Sequence, residues 1–296
     1  MEQLLEGKTL SQSILASLPP RIAAVSAAAG RPPELAIINY FEDSPSAVYV
    51  KRKIAACDKL GIRTRLVKPG LKEGLAGFLA LLADLAADPV VDAVMIERPL
   101  PEGFEVPAMW DAIPPGKDVD ALSSANMGRL FISKAPDIGN AGFFVPCTAL
   151  AVLRLMKHHS IEARGKRIAV AGRSAVVGRP LAHMLTSLDA TVTVCHTRTP
   201  DIAAVFKSSE IVVSAAGKAR WLKAEMVAPG ATVIDVGTNM DENGKMCGDA
   251  DFEALKGKVG AITPVPGGVG PVTLALLIQA AVTAAENFAF RKGVPA

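Results

Sequence analysis

No long run of lysine or arginine occurs in the 296 residues, and the formal net charge is only +3. Nucleic acid is therefore not expected as the main partner, although local basic pockets remain open. Closely spaced cysteines are missing too: Cys57, Cys147, Cys195 and Cys247 are scattered, with no CxxC pair. That spacing argues against a disulfide framework and against a cysteine-based metal site, and it fits a reducing cytoplasm. The start, Met1-Glu-Gln-Leu-Leu-Glu6, has neither the basic residues nor the apolar core of a signal peptide. No apolar run reaches the roughly 20 residues that span a bilayer. The longest, Val272 to Ala285, carries Gln279 and two threonines and reads as a buried core helix, so no membrane partner is expected.

What is present points to packed globular domains. Half of the residues are apolar and 21% are charged, a balance that supports a core and not disorder. The length suits two domains better than one. Strand-like runs at Leu35–Asn39, Thr64–Val67 and Ala93–Glu97 alternate with helix-like stretches near Ser46–Leu60 and Leu71–Ala87. This alternation predicts βαβ units and a mostly parallel sheet. Pro114, Pro115 and Gly116 interrupt the pattern, and Lys134–Phe143 reads as irregular. The pattern restarts with a helix near Thr148–His159 and strands at Arg167–Ala171, Thr191–Cys195, Ile211–Ser214 and Thr232–Val236, four strands for a second sheet. A last apolar helix runs to about Phe288 and is expected to pack back on the first domain. The expected division is therefore a first domain of residues 1–140, completed by the helix 271–296, and a second domain of residues 141–270.

The stretch from Gly165 to Pro180 runs as a strand into Gly172, then a tight turn, then a helix beginning near Gly178. A Rossmann unit holds pyrophosphate at such a place, where small residues permit close approach and the helix N-terminus offers free N–H groups. The familiar GxGxxG is absent, with Ser174 where a second glycine would stand, and the pattern also fits an ordinary strand–helix turn. An acidic residue for the ribose 2′-hydroxyl, usual about 20 residues onward, is absent as well. The second strand ends instead in His196-Thr-Arg-Thr199. Arg173 and Arg198 are candidates to meet a 2′-phosphate, so the local chemistry favours NADP over NAD.

Three further segments are hard to explain as packing. Tyr49 and Lys53 are one helical turn apart and share a face, which by itself also suits a solvent-facing flank. Glu97-Arg-Pro-Leu-Pro101 closes a strand at the edge where open α/β sheets place ligands. Thr263-Pro-Val-Pro-Gly-Gly-Val-Gly-Pro271 is a rigid loop whose glycines let backbone groups approach a flat ligand.

Taken in order, these residues closely resemble the bifunctional methylenetetrahydrofolate dehydrogenase/cyclohydrolase family. The resemblance runs from Leu5-Glu-Gly-Lys8 to the last helix. It is carried most strongly by Pro264–Thr273, Val233–Asn239, Lys117-Asp-Val-Asp120, Asn126–Leu130, Gly172-Arg-Ser174 and Val177–Pro180. Thr191–His196 and Gly248-Asp249 also match. The resemblance implies an α/β fold: an N-terminal folate domain, a Rossmann-like NADP domain with a parallel sheet, and a cleft between them. It implies oxidation of 5,10-methylenetetrahydrofolate with NADP and hydrolysis of the methenyl product to 10-formyltetrahydrofolate, commonly by a homodimer.

Residue roles follow from the same resemblance. Tyr49 would stack on the folate, Lys53 would serve the one-carbon unit and the hydrolytic step, and Asp120 would hydrogen-bond the pterin edge. Pro264, Pro266, Gly267 and Gly268 would wall the folate site. Gly172, Arg173, Ser174, Gly178, His196, Thr197, Arg198, Gly217 and Thr238 would surround NADP. No metal is implied. The chain departs from the family at Glu97, where glutamine is usual, at Arg98, at Ala121, where glycine is usual, and in Pro146-Cys-Thr-Ala-Leu-Ala151. A glutamate beside Lys53 can form an ion pair, and an opposite charge favours the charged form of a lysine that must act as a base. A dehydrogenase with weak or absent hydrolase activity is therefore the alternative expectation, with a non-enzymatic NADP or folate binder more remote. The extra Arg98 could also draw the carboxylate away from Lys53.

Overall fold

The structure is a computed structural model in which residues 2–41, 47–133 and 142–290 are described. Ser46 and residues 134–141, both read in the sequence, lie outside the described residues. The first part of the chain runs β1 (Gln3–Leu4), α1 (Lys8–Ala16), α2 (Pro19–Ala29), β2 (Glu34–Ile38), α3 (Ala47–Leu60), β3 (Arg63–Val67), α4 (Gly74–Ala87), β4 (Ala93–Ile96), α5 (Pro107–Asp111) and α6 (Ser124–Ile132). It continues through α7 (Cys147–His158), β5 (Arg167–Ala171), α8 (Gly178–Thr186), β6 (Thr191–Cys195), α9 (Ile202–Lys207), β7 (Ile211–Ser214) and β8 (Thr232–Asp235). The hairpin β9 (Asn239–Met240) and β10 (Met246–Cys247), α10 (Phe252–Leu255), β11 (Ala261–Ile262) and α11 (Val269–Ala289) complete it.

Two compact units divide these elements. One holds described residues 13–41, 47–129, 142–145 and 275–290, and is built on a parallel sheet of order β3-β2-β4. The central strand β2 is buried along its whole length, as is β4, whereas the edge strand β3 is half exposed. A strand covered on both faces needs a continuous apolar run, and Leu35-Ala-Ile-Ile38 supplies one. Its core gathers Ala36, Ile38, Phe78, Leu82, Ile96 and Met109. The end of α11 belongs to this unit, where Arg21 of α2 makes a two-pronged contact with Glu286 at 2.8 and 2.6 Å. By length and composition α11 could cross a membrane, yet 56% of its most apolar window is buried against the protein.

The other unit holds described residues 2–12, 130–133 and 146–274, on a parallel sheet of order β1-β11-β8-β7-β5-β6. The sequence reading gives this sheet four strands, and the structure gives it six. The added strands, β1 and β11, are two residues each, too short for any alternation to register. Pairing of Gln3 and Leu4 with Ala261 and Ile262 draws the N-terminal segment into this unit, whereas the sequence division keeps residues 1–140 together.

Candidate functional site

In the three-stranded unit, Glu97 follows the last residue of β4, so the strand delivers it to the carboxyl edge of the sheet. Lys53, on α3, donates its Nζ to Glu97 Oε2 at 2.5 Å, and the two side chains are only 12% and 11% exposed. Arg98 turns elsewhere: its guanidinium reaches Glu105 at 3.1 Å and its carbon lies 4.8 Å from the Trp110 ring centroid. The competition for Glu97 that the sequence left open is thus resolved toward Lys53.

Asp120 closes the Lys117–Asp120 turn, and its neighbours are scaffolding. Lys117 donates to the carbonyls of Ala86 and Asp88 at 2.8 and 2.7 Å. Asp118 accepts the amides of Leu122 and Ser123 and the side chain of Asn126. Ala121 is held at φ 56°, a left-handed conformation that costs an L residue roughly 1–2 kcal/mol and that glycine adopts freely. This accounts for the family's glycine at that place and makes Ala121 a locally strained substitute. Although Asp120 as a residue keeps some exposure, burial of its carboxyl pushes the pKa up to about 6. Lys53 and Arg98 pull it down, while Asp118 and Glu97 push it further up. Lys53, Glu97 and Asp120 therefore share one electrostatic neighbourhood. Tyr49 sits half-buried one turn before Lys53, with the Arg52 guanidinium 5.8 Å from its ring centroid.

In the six-stranded unit, the expected nucleotide residues gather at the carboxyl ends of adjacent strands. Gly172 follows β5 at φ 121°, and a Cβ there would stand 2.3 Å from the Ala215 carbonyl oxygen. A Cβ on Gly178, the first residue of α8, would stand 2.0 Å from the Gly172 carbonyl oxygen. The two glycines are therefore demanded by contact between backbones. Ser174 accepts the Val177 amide at 3.2 Å, shaping the entry to α8. After β6, His196 Nδ1 accepts the Arg198 amide at 3.1 Å, and Thr197 and Arg198 are exposed. Neither Arg173 nor Arg198 has a carboxylate partner among the described residues. Gly217 follows β7, and Thr238 follows β8. The loop after β11 places Pro264, Pro266, Gly267 and Gly268 in this unit, with the Gly268 amide on the Pro264 carbonyl at 2.8 Å and the Gly7 amide on that of Gly267 at 2.8 Å. The residues assigned by resemblance to one folate site thus come from both units.

Sequence reasoning gave no role to two buried acids of this unit, although both lie in segments that carry the resemblance. Asp235 ends β8 and accepts the amides of Gly237, Asp249 and Ala250. Burial pushes its carboxyl up to about 6, against the pull of those amides. Asp249 accepts from Ser214, the Ala216, Gly217 and Lys218 amides, and Asn239. The available signal was a carboxylate closing the apolar run Val233-Ile234, where a strand buried in a sheet centre has no use for a charge.

Residues 5–120 match the family model for the tetrahydrofolate dehydrogenase/cyclohydrolase catalytic domain, and residues 146–289 match that for the NAD(P)-binding domain. A bifunctional protein FolD from Elusimicrobium minutum is 44% identical over 285 residues, covering 96% of this chain and 99% of that one. The crystal structure of the bifunctional methylenetetrahydrofolate dehydrogenase/cyclohydrolase from Campylobacter jejuni superposes with a TM-score of 0.88 at 36% identity, covering 97% of this chain and 99% of that one. The Trypanosoma brucei dehydrogenase–cyclohydrolase, complexed with NADP and an inhibitor, gives a TM-score of 0.88 at 34% identity, over 97% and 98% of the two chains.

Proposed function

The chain belongs to the tetrahydrofolate dehydrogenase/cyclohydrolase family, and on that premise we propose that it oxidises 5,10-methylenetetrahydrofolate with NADP and hydrolyses the methenyl product to 10-formyltetrahydrofolate. The carrying observation is that one chain matches both halves of the family, the catalytic domain and the nucleotide domain.

The nucleotide edge fits NADP. Gly172 and Gly178 let the backbones of the turn close on one another at the start of α8, and Arg173 and Arg198, exposed and without a carboxylate partner among the described residues, stand ready for a phosphate dianion. Bound there, NADP would supply the hydride acceptor for the methylene carbon between two folate nitrogens. This step asks no proton of the protein, so the chain's contribution is position and electrostatics. By the family resemblance, Tyr49 would stack on the folate and Asp120 would accept from the pterin edge. Hydrolysis does need a proton to move, since water attacks the methenyl carbon and the ring opens. Lys53 is the group assigned to it, with Glu97 holding the ammonium side of the exchange. Gly217 and Thr238 contribute to the nucleotide edge through their loops.

We place the enzyme in the cytoplasm as a homodimer. The four cysteines form no disulfide and are buried, as a reducing compartment allows. The sheet ends on β6, an edge strand whose Val194 is 38% exposed and which offers unpaired backbone groups to a second copy. A monomeric mass in solution at micromolar concentration overturns the dimer. The activity is tested by a paired assay of purified protein: methylenetetrahydrofolate oxidation with NADP and with NAD, then methenyltetrahydrofolate hydrolysis. Both reactions, with NADP preferred, are expected; absence of oxidation defeats the reading.

A further inference from the structure

Asp249 is fully buried and Asp235 nearly so, and neither is paired with a cation among the described residues. A buried charge persists only where donors replace the water it has lost. Asp249 collects five. Its Oδ2 accepts from Ser214 Oγ at 3.0 Å and from the amides of Ala216 and Gly217 at 2.6 and 3.2 Å. Its Oδ1 accepts from the Lys218 amide and from Asn239 Nδ2, both at 3.0 Å. Asp235 seats it in turn, accepting the Asp249 amide at 3.0 Å and the Gly237 amide at 2.9 Å on the same oxygen. The packing leaves no slack: a Cβ on Gly237 would fall 2.1 Å from Asp249 Oδ1, and one on Gly248 would fall 1.9 Å from Asp235 Oδ2.

The donors come from the last residue of β7, Ser214, from the 216–218 turn that follows it, and from Asn239 at the start of β9. Three successive amides turned onto one carboxylate fix the turn as a unit. That turn is continuous with Ala215, whose carbonyl oxygen is the atom that Gly172 must remain a glycine to approach. A displacement of residues 216–218 is therefore passed to the glycine turn.

We propose that Asp249 is a positioning residue for the nucleotide: its carboxylate presets the 216–218 turn, and through Ala215 the Gly172 turn, before NADP arrives. The inference rests on reading this edge as the NADP site. A loop set in its bound shape is not ordered at the expense of binding, so loss of the carboxylate weakens affinity without touching any contact to the reacting atoms.

The test uses the full chain, comparing wild type with Asp249→Asn, which keeps the shape and places an N–H group among converging N–H donors. NADP is titrated calorimetrically, tetrahydrofolate binding is measured separately, and KM for NADP and kcat are read at saturating folate. The expected result is an NADP Kd and KM raised about tenfold or more, with kcat at saturating NADP nearly retained and tetrahydrofolate affinity kept. A lowered Tm with an unchanged NADP Kd shows a purely structural carboxylate and overturns the proposal. Should Asp249→Asn fail to fold, the double variant Ser214→Ala with Asn239→Ala removes two of the five donors: a smaller rise in NADP Kd supports the proposal, and an unchanged Kd overturns it. A wild-type protein that binds no NADP overturns the cofactor reading itself, an outcome distinct from any difference between variants.

Discussion

At the end of β4, Lys53 and Glu97 neutralise each other at 2.5 Å, both largely withdrawn from water. At the ends of β5 and β6, Arg173 and Arg198 are exposed and meet no carboxylate among the described residues. The first arrangement is internally balanced: each charge already has its partner. The second suits a place where a ligand arrives carrying its own charge, so that the cations find their partner only on binding. One site stores its electrostatics in a pair, and the other leaves them open.

Removing a member of each set should therefore have different consequences. Lys53→Met should have the largest effect. Loss of a general acid–base group costs roughly 10²–10⁴-fold, so methenyl hydrolysis should collapse while NADP affinity, measured by titration, stays put. A parallel loss of NADP binding would break the separation. Next, Arg173→Ala should weaken NADP by roughly ten- to a hundredfold, the worth of a charge-assisted hydrogen bond, and leave NAD affinity nearly unchanged. Equal loss for both cofactors would make Arg173 a structural residue. Glu97→Gln keeps the acceptor but dissolves the ion pair; hydrolysis should rise several-fold with oxidation little changed. If hydrolysis is lost instead, the carboxylate itself takes the proton and the pair is a relay.

The smallest effect is on stability. Burial lifts the Asp120 carboxyl from the ordinary 3.8 to about 6, so the folded chain holds this proton at a pH where the unfolded chain has released it. Its ionisation disfavours the fold fully above that value, and the penalty fades as pH falls from about 6 toward 3.8. Asp120→Asn should then raise Tm at pH 8 and raise it progressively less toward pH 4, while folate KM worsens. A gain that grew on acidification would contradict the sign.

The seven longer strands could be read from the sequence because each carries β-branched or apolar residues over four or five positions bounded by turn residues, as a nearly continuous apolar run in Ile211–Ser214 and in alternation with threonine in Thr191–Cys195. The four two-residue strands could not, since β1 and β11, like the hairpin of β9 and β10, are held in place by their partners and not by their own composition. For the site, Tyr49, Lys53 and the glycines were visible through motif and resemblance. The direction taken by Glu97 was not, because sequence adjacency gave Arg98 an equal claim; the Glu105 and Trp110 contacts that occupy Arg98 are tertiary. Asp249 escaped for a related reason: its donors lie ten to thirty-five positions away, and no local pattern records them.

The interlock of Gly172, Ala215 and Gly178 bears on how cofactor preference can evolve. With main chain pressed on main chain at two successive points, no side chain can be introduced at either glycine without displacing a strand end. Variation is confined to exposed side chains: Arg173 within the turn, and the tip at Thr197 and Arg198. A lineage exchanging one nicotinamide nucleotide for the other would therefore rewrite those side chains, and the two glycines would stay as they are.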